Sequence, residues 1–284
     1  MTIEHPNPNA HNKEDLTVHK VSNLTRSLSD ADPLEGPAPT IAADLALAGG
    51  GQVSFDRLVR DLDPENLQGE SLLRGWTRAH VIAHIGYNAR ALARLVQWAR
   101  TGIENPMYKS AESRADEIDL GSALSHTGLI RLSSQEAALL EEAWTNLPED
   151  RWAYKVKNAQ GRMIAISETI WMRARELWLH AIDLNNGATV QDIPRPAAAR
   201  IVQDVLTTWE GRDGHYVRSV ATDAHVNFQP AGEGPSEPAS GILTVSGTLT
   251  DLLTWATGRG HHGVVEINED GREIGPAPAA HRWI

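Results

Sequence analysis

The longest stretch of helical periodicity, Thr77 to Arg100, is the feature that most constrains the fold. Val81, Ile85, Leu92 and Leu95/Val96 recur at spacings that put them on one face of a helix. Thr77 stands where an N-cap belongs, and Gly102 and Pro106 supply a stop. An amphipathic helix of that length must bury its apolar face against others, and the flanking sequence supplies them. Thr40-Ile41 opens a helical segment running to Leu62. Its Gly49-Gly50-Gly51 triplet predicts a break, because each glycine costs about 1 kcal/mol against alanine inside a helix. Another helical region lies within 110–146, ending before Pro148, with a break near Gly121-Ser122. Ser167 is placed to cap a helix reaching about Leu184, with Asn185-Asn186-Gly187 as its stop. Four or five long helices with short connections predict a helical bundle over residues 41–190.

After Pro194 the texture changes. A helix over Pro196–Glu210 precedes β-like stretches at Val217–Phe228, Leu243–Ser246 and Gly263–Asn268. Between them Thr248 and Asp251 are spaced as a capping box, with Gly258 as the stop. The loop Ala231–Ser240 is rich in Pro, Gly and Glu. Residues 191–284 therefore read as a smaller α/β domain, and the fold class as α+β. Residues 1–40 are polar, carry Pro6, Pro8, Pro33, Pro37 and Pro39, and show no sustained apolar period. They read as a disordered or loosely packed tail.

Charge and cysteine content narrow the chemistry. The formal net charge is −11, which argues against a surface built to neutralise phosphates and so against nucleic acid or anionic membranes as partners. No apolar stretch approaches the roughly 18 residues that spanning a bilayer requires. The first twenty residues lack the apolar core of a signal peptide, so the cytoplasm is the expected compartment. The chain contains no cysteine, which excludes disulfide scaffolds, thiolate metal sites and a cysteine nucleophile together. Gly49–Gly51 lacks the strand and lysine of a phosphate cradle, and no GxSxG motif is present.

The remaining candidates are polar stripes on helices. His80 and His84 lie four apart, with Tyr87 and Asn88 continuing the stripe. Glu176 and His180 are also i, i+4, and Thr169, Arg173 and Asp183 extend that face. A carboxylate and an imidazole one turn apart reach a common point, the geometry a divalent metal takes from a single helix. One histidine from a neighbouring helix completes a His2Glu set with an open fourth position, as in catalytic zinc sites. Spacing alone also admits a plain helix-stabilising pair. His5, His11, His19 and His126 sit in polar stretches and are expected to be solvated, and His261-His262 read as loop residues.

A resemblance bears on that choice. Gly75-Trp76-Thr77-Arg78 leading to Ala83-His84 resembles the signature of DinB-like metal-binding four-helix bundles. More specifically, SLLRGWTRAHVIAHIGYNA (71–89), ENPMYKSAESRADEI (104–118), AQGR (159–162), SETIWMRARELWLHAIDL (167–184) and TVSGTLTDLLTWATGRG (244–260) resemble the mycothiol-dependent maleylpyruvate isomerases. The likeness runs from about residue 41 to the end. It implies a DinB-like bundle, zinc ligands at His84, Glu176 and His180, and a catalytic arginine at Arg259. His80 competes with His84 as a ligand by spacing, and the motif favours His84.

The resemblance also implies a reaction: cis–trans isomerisation of maleylpyruvate to fumarylpyruvate in gentisate breakdown, with zinc and mycothiol as cofactors. Rotation about a peptide bond already costs about 18–20 kcal/mol, and a full carbon–carbon double bond costs more. Thiolate addition makes that bond single, rotation follows, and elimination releases the trans isomer. Because the chain has no cysteine, the thiol must come from outside, and zinc at the open position would hold it deprotonated. The substrate is a dicarboxylate entering an acidic protein, so local arginines must bind it, Arg259 first among them. Arg78, Arg90, Arg94 and Arg173 are further cations without a distinguishing signal. Two other readings stand beside this one: a zinc- and mycothiol-dependent S-transferase, and a non-enzymatic zinc-binding sensor module. An attached C-terminal domain favours the enzyme, since pockets commonly form between domains.

Overall fold

The computed structural model describes residues 40–224, 226–230 and 242–283. The expectations for the N-terminal tail and for the loop Ala231–Ser240 lie outside the described residues. The described chain divides into two compact units, residues 40–197 and 198–283.

The first unit is helical: α1 (Ile41–Asp61), α2 (Arg78–Thr101), α3 (Ala111–Ser122), α4 (His126–Thr145) and α5 (Glu168–Asp183). Phe55, Leu58 and Val59 of α1, Ile82 and Ile85 of α2, Leu129 of α4 and Leu177 and Ala181 of α5 form its core, all buried. α2 packs on α4, α3 and α5, and α1 packs on α5. Helix ends follow local chemistry. Gly102 ends α2 in the left-handed region (φ 74°) with its N–H on the Trp98 carbonyl. Ser125 caps α4 after the break at 123–125, its Oγ accepting from the Gly128 N–H.

Three expectations are corrected. The Gly49–Gly51 triplet does not interrupt α1, which runs unbroken through it. A Cβ on Gly51 would stand 3.0 Å from the Leu177 Cβ and 3.2 Å from the Trp178 Nε1, so glycine there lets α5 approach closely. Trp178 adds a hydrogen bond from Nε1 to the Leu47 carbonyl, 3.0 Å. The propensity cost is offset by tertiary packing. Ser167 precedes α5, but its side chain makes no capping bond; Glu168 Oε1 instead accepts from the Ala165 N–H at 3.1 Å. The third is a hairpin, β1 (Lys155–Lys157) antiparallel to β2 (Met163–Ala165), in the stretch between Pro148 and Ser167 that the bundle reading leaves as a plain connection. Its turn is held by Asn158 Oδ1, which accepts from the Gln160 and Arg162 N–H groups, and by Gly161 at φ 81°.

The second unit joins most of α6 (Arg195–Asp213), whose first turn holds the unit boundary, to a mixed five-stranded sheet. The strands are β3 (Val217–Ala221), β4 (Val226–Phe228), β5 (Leu243–Gly247), β6 (Val265–Ile267) and β7 (Glu273–Pro276), in the order β4-β3-β5-β6-β7. β3 and β5 run parallel and the other neighbours antiparallel. β7 had no sequence signal. α7 (Leu249–Ala256) follows β5 and is capped by Thr248 Oγ1, which accepts from the Asp251 N–H. Trp209 of α6 and Trp255 of α7 meet edge to face, centroids 5.5 Å apart, and Val217, Val245 and Leu252 are buried in the same unit. The α+β class, with helices first and a mixed sheet after, is the one the sequence predicts.

Candidate metal centre

The turn before α2 sets the position of His84. Gly75 takes φ 83°, Trp76 N–H donates to the Leu73 carbonyl, and the Ser71 Oγ and N–H both donate to the Trp76 carbonyl. Thr77 then starts the helix with His80 as its cap partner: Thr77 N–H donates to His80 Nδ1 at 3.2 Å, and Thr77 Oγ1 lies 2.7 Å from the same nitrogen. His80 is thereby occupied at the helix start. One turn on, His84 points into the bundle, its side chain 5% exposed, with the Trp76 ring edge-on at 5.5 Å.

α5 supplies the other two groups. Glu176 Oε2 lies 2.9 Å from His84 Nε2 and 3.2 Å from His180 Nε2. One ligand atom from each of His84, Glu176 and His180 lies within 4.8 Å of the others. Two imidazole nitrogens from different helices thus converge on one carboxylate oxygen. On its far side, His180 Nδ1 is 2.9 Å from Asp183 Oδ2, and Asp183 is 1% exposed. A buried carboxylate behind a ligating imidazole is the outer support that metal sites use to fix ring and tautomer.

The electrostatics suit a cation. Burial alone would push the Glu176 carboxyl up, but hydrogen bonds from His180 and His84 hold it well below the usual carboxylate range. Burial pushes His84 down to about 4 despite its bond to Glu176. Burial also opposes charge on His180, yet Asp183 and Glu176 push it up to about 9. The His180 proton supplies positive charge between the half-buried Glu176 and the buried Asp183 carboxylates. A divalent ion held by His84, Glu176 and His180 would supply that charge instead, and the donor set, two imidazoles and one carboxylate, is one that zinc accepts.

The rest of the stripe is buried as well. Arg173, 2% exposed, donates to the Ile85 carbonyl (2.7 Å), Asn88 Oδ1 (2.9 Å) and Gln52 Oε1 (2.9 Å). Burial lowers its guanidinium to about 10, against the fields of Glu176, Asp56 and Tyr108. Thr169 Oγ1 accepts from Trp144 Nε1 at 3.1 Å. These residues tie α1, α2, α4 and α5 together behind the centre.

Arg259 lies in the second unit, directly after Gly258 (φ 72°) at the end of α7. Its N–H donates to the Thr254 carbonyl and its Nη1 to the Thr257 carbonyl at 3.2 Å. His261 and His262 stack on each other, exposed, at 4.7 Å. His126 is half-buried rather than solvated, with Nε2 2.7 Å from the Val59 carbonyl. Sequence reading missed the partnership of Asp183 with His180, although i, i+3 spacing offered it, and missed Arg114 altogether. Arg114 Nη2 lies 3.4 Å from His84 Nδ1.

A helical bundle with a His–Glu–His group that could hold a metal ion, followed by a small α+β unit, defines a two-unit bundle protein with a candidate metal centre. The family model described as "Mycothiol maleylpyruvate isomerase N-terminal domain" matches residues 51–185. The "crystal structure of the mycothiol-dependent maleylpyruvate isomerase" is similar over 86% of this chain and 98% of that one, at 36% identity and a TM-score of 0.76. The structure of a histidine-to-alanine mutant of that isomerase gives the same values. No curated protein sequence matches the chain. The chain belongs to the mycothiol-dependent maleylpyruvate isomerase family.

Proposed function

We propose that this protein is a mycothiol-dependent isomerase that converts maleylpyruvate to fumarylpyruvate in gentisate degradation, acting in the cytoplasm. The observation that carries the reading is the convergence of His84 and His180 on Glu176 in a chain that has no cysteine of its own. Zinc held by His84, Glu176 and His180 would act as the Lewis acid that keeps the mycothiol sulfur deprotonated, and the thiol would supply the reversible nucleophile. Asp183 fixes the His180 ring through Nδ1, so that Nε2 faces Glu176. Burial of His84, Thr169, Arg173 and Asp183 keeps water from the back of the centre and strengthens each charge there. Arg259 is proposed as the catalytic cation that binds a carboxylate or the enolate oxygen of the substrate. Among the described residues no helix is long and apolar enough to cross a membrane, which suits a small-molecule substrate met in water.

The test is direct. Zinc-loaded protein, freed of small molecules, should leave maleylpyruvate unchanged until mycothiol is added, and then convert it to the trans isomer. Turnover without any thiol would defeat the proposal. Conversion of other electrophiles with permanent thioether formation, and none of maleylpyruvate, would replace it with the S-transferase reading.

A further inference from the structure

From Arg114 and Tyr108 beside the candidate metal centre, we infer a carboxylate-binding subsite, with the Arg114 guanidinium and the Tyr108 phenol as its donors. The inference rests on the isomerase reading for the identity of the substrate, but the subsite stands on its own geometry.

Arg114 lies in the first turns of α3 and is half-buried. Its guanidinium carbon sits 5.8 Å from the centroid of the Tyr108 ring. Among the described residues no carboxylate pairs with it. The neighbouring cations are satisfied differently. Arg90 pairs with Glu136 at 2.6 Å, and Arg94 donates to the Met107 carbonyl and faces Glu117 at 3.6 Å. Glu117, one turn along from Arg114, is thus directed to Arg94. A half-buried guanidinium without a carboxylate partner is an anion site in waiting, because desolvating that charge without a counter-ion is costly.

Its one polar contact with the centre is long and conditional. Nη2 faces His84 Nδ1 at 3.4 Å, which is an acceptor only while the His84 proton sits on Nε2. That contact engages Nη2 alone and leaves the other N–H groups of the fork to an incoming anion. The half-buried Tyr108 adds a hydroxyl donor beside the fork. Burial pushes its phenol up, with Arg114 and Glu176 the strongest charges acting on it, so the hydroxyl keeps its proton at neutral pH. A planar fork with an adjacent hydroxyl matches the two oxygens of a carboxylate. Maleylpyruvate carries two carboxylates, and this subsite takes one of them within reach of the His84 side of the centre.

Maleate, a cis-dicarboxylate without the keto group, reads the subsite without turnover. Calorimetric titration of the zinc-loaded full-length protein should show binding that weakens about ten- to a hundredfold in Arg114→Met. Arg114→Lys should not restore it, and Tyr108→Phe should weaken it less. Zinc content should stay at the wild-type level in all three. In turnover the KM for maleylpyruvate should rise while the KM for mycothiol holds. The inference is overturned if wild-type protein does not bind maleate, or if Arg114→Met binds it as wild type does. It is also overturned if the mycothiol KM alone rises, or if Arg114→Met loses its zinc, which would make Arg114 a support for His84. Arg114-dependent maleate binding in a protein that leaves maleylpyruvate unconverted would uphold the subsite and refute the isomerase reading.

Discussion

His84, Glu176 and His180 share one oxygen-centred contact, so removing any one of them should open the set. Elemental analysis should find about one zinc per wild-type chain and a loss of most of it in His84→Ala, Glu176→Ala or His180→Ala. His80→Ala, whose imidazole is engaged at the Thr77 cap, should keep its zinc. Full retention in the three ligand variants would sink the assignment. The same residues set a pH dependence in metal-free protein. His180 is raised to about 9 by Asp183 and Glu176 despite burial, against about 6.5 when unfolded. Its stabilisation is complete below pH about 6.5 and is lost as pH rises through 9. His84, lowered to about 4 by burial, works on the acid side, where stability falls as pH drops from about 6.5 toward 4. The melting temperature of metal-free protein should therefore fall between pH 7 and 9.5, and His180→Gln should flatten that limb. An unchanged slope would show that another group governs it.

Elements were legible where their signals are local. Thr77 with Gly102 and Thr248 with Gly258 bracket α2 and α7 because caps act within one turn of the chain. The three-residue strands β1 and β2 and the four-residue β7 are too short to carry a period, and only the Asn158…Gly161 turn marks the hairpin. The ligand pair within α5 could be read from spacing, whereas Arg114 meets His84 across 30 residues and has no one-dimensional signature. Gly49–Gly51 misled for a related reason: its cost is local and its compensation lies on α5. That contrast yields a paired test. Nothing stands within 4 Å of a Cβ on Gly49, so Gly49→Ala should stabilise by up to about 1 kcal/mol. Gly51→Ala gains the same propensity but presses on Leu177 and on Trp178, itself tied to the Leu47 carbonyl. It should destabilise by about 1–3 kcal/mol. Urea unfolding of the two variants gives the comparison, and equal gains would remove the packing account.

For the whole molecule the telling number is zero cysteines in 284 residues. In the proposed reaction every thiol step belongs to a diffusible partner, so alkylating agents have no thiol of the protein to attack. Protein treated with iodoacetamide and then desalted should recover near-full activity when fresh mycothiol is supplied. Lasting inactivation would point to a reactive side chain other than a thiol.

The placement of Trp76 makes the centre visible to light. Its indole lies edge-on to His84 at 5.5 Å and roughly parallel to His80 at 6.3 Å, so a dication arriving at His84 changes the field across that chromophore. The other eight of the chain's nine tryptophans supply a background that a Trp76→Phe protein measures separately. The difference spectrum between the two should report entry of added zinc in real time, without a dye and without substrate.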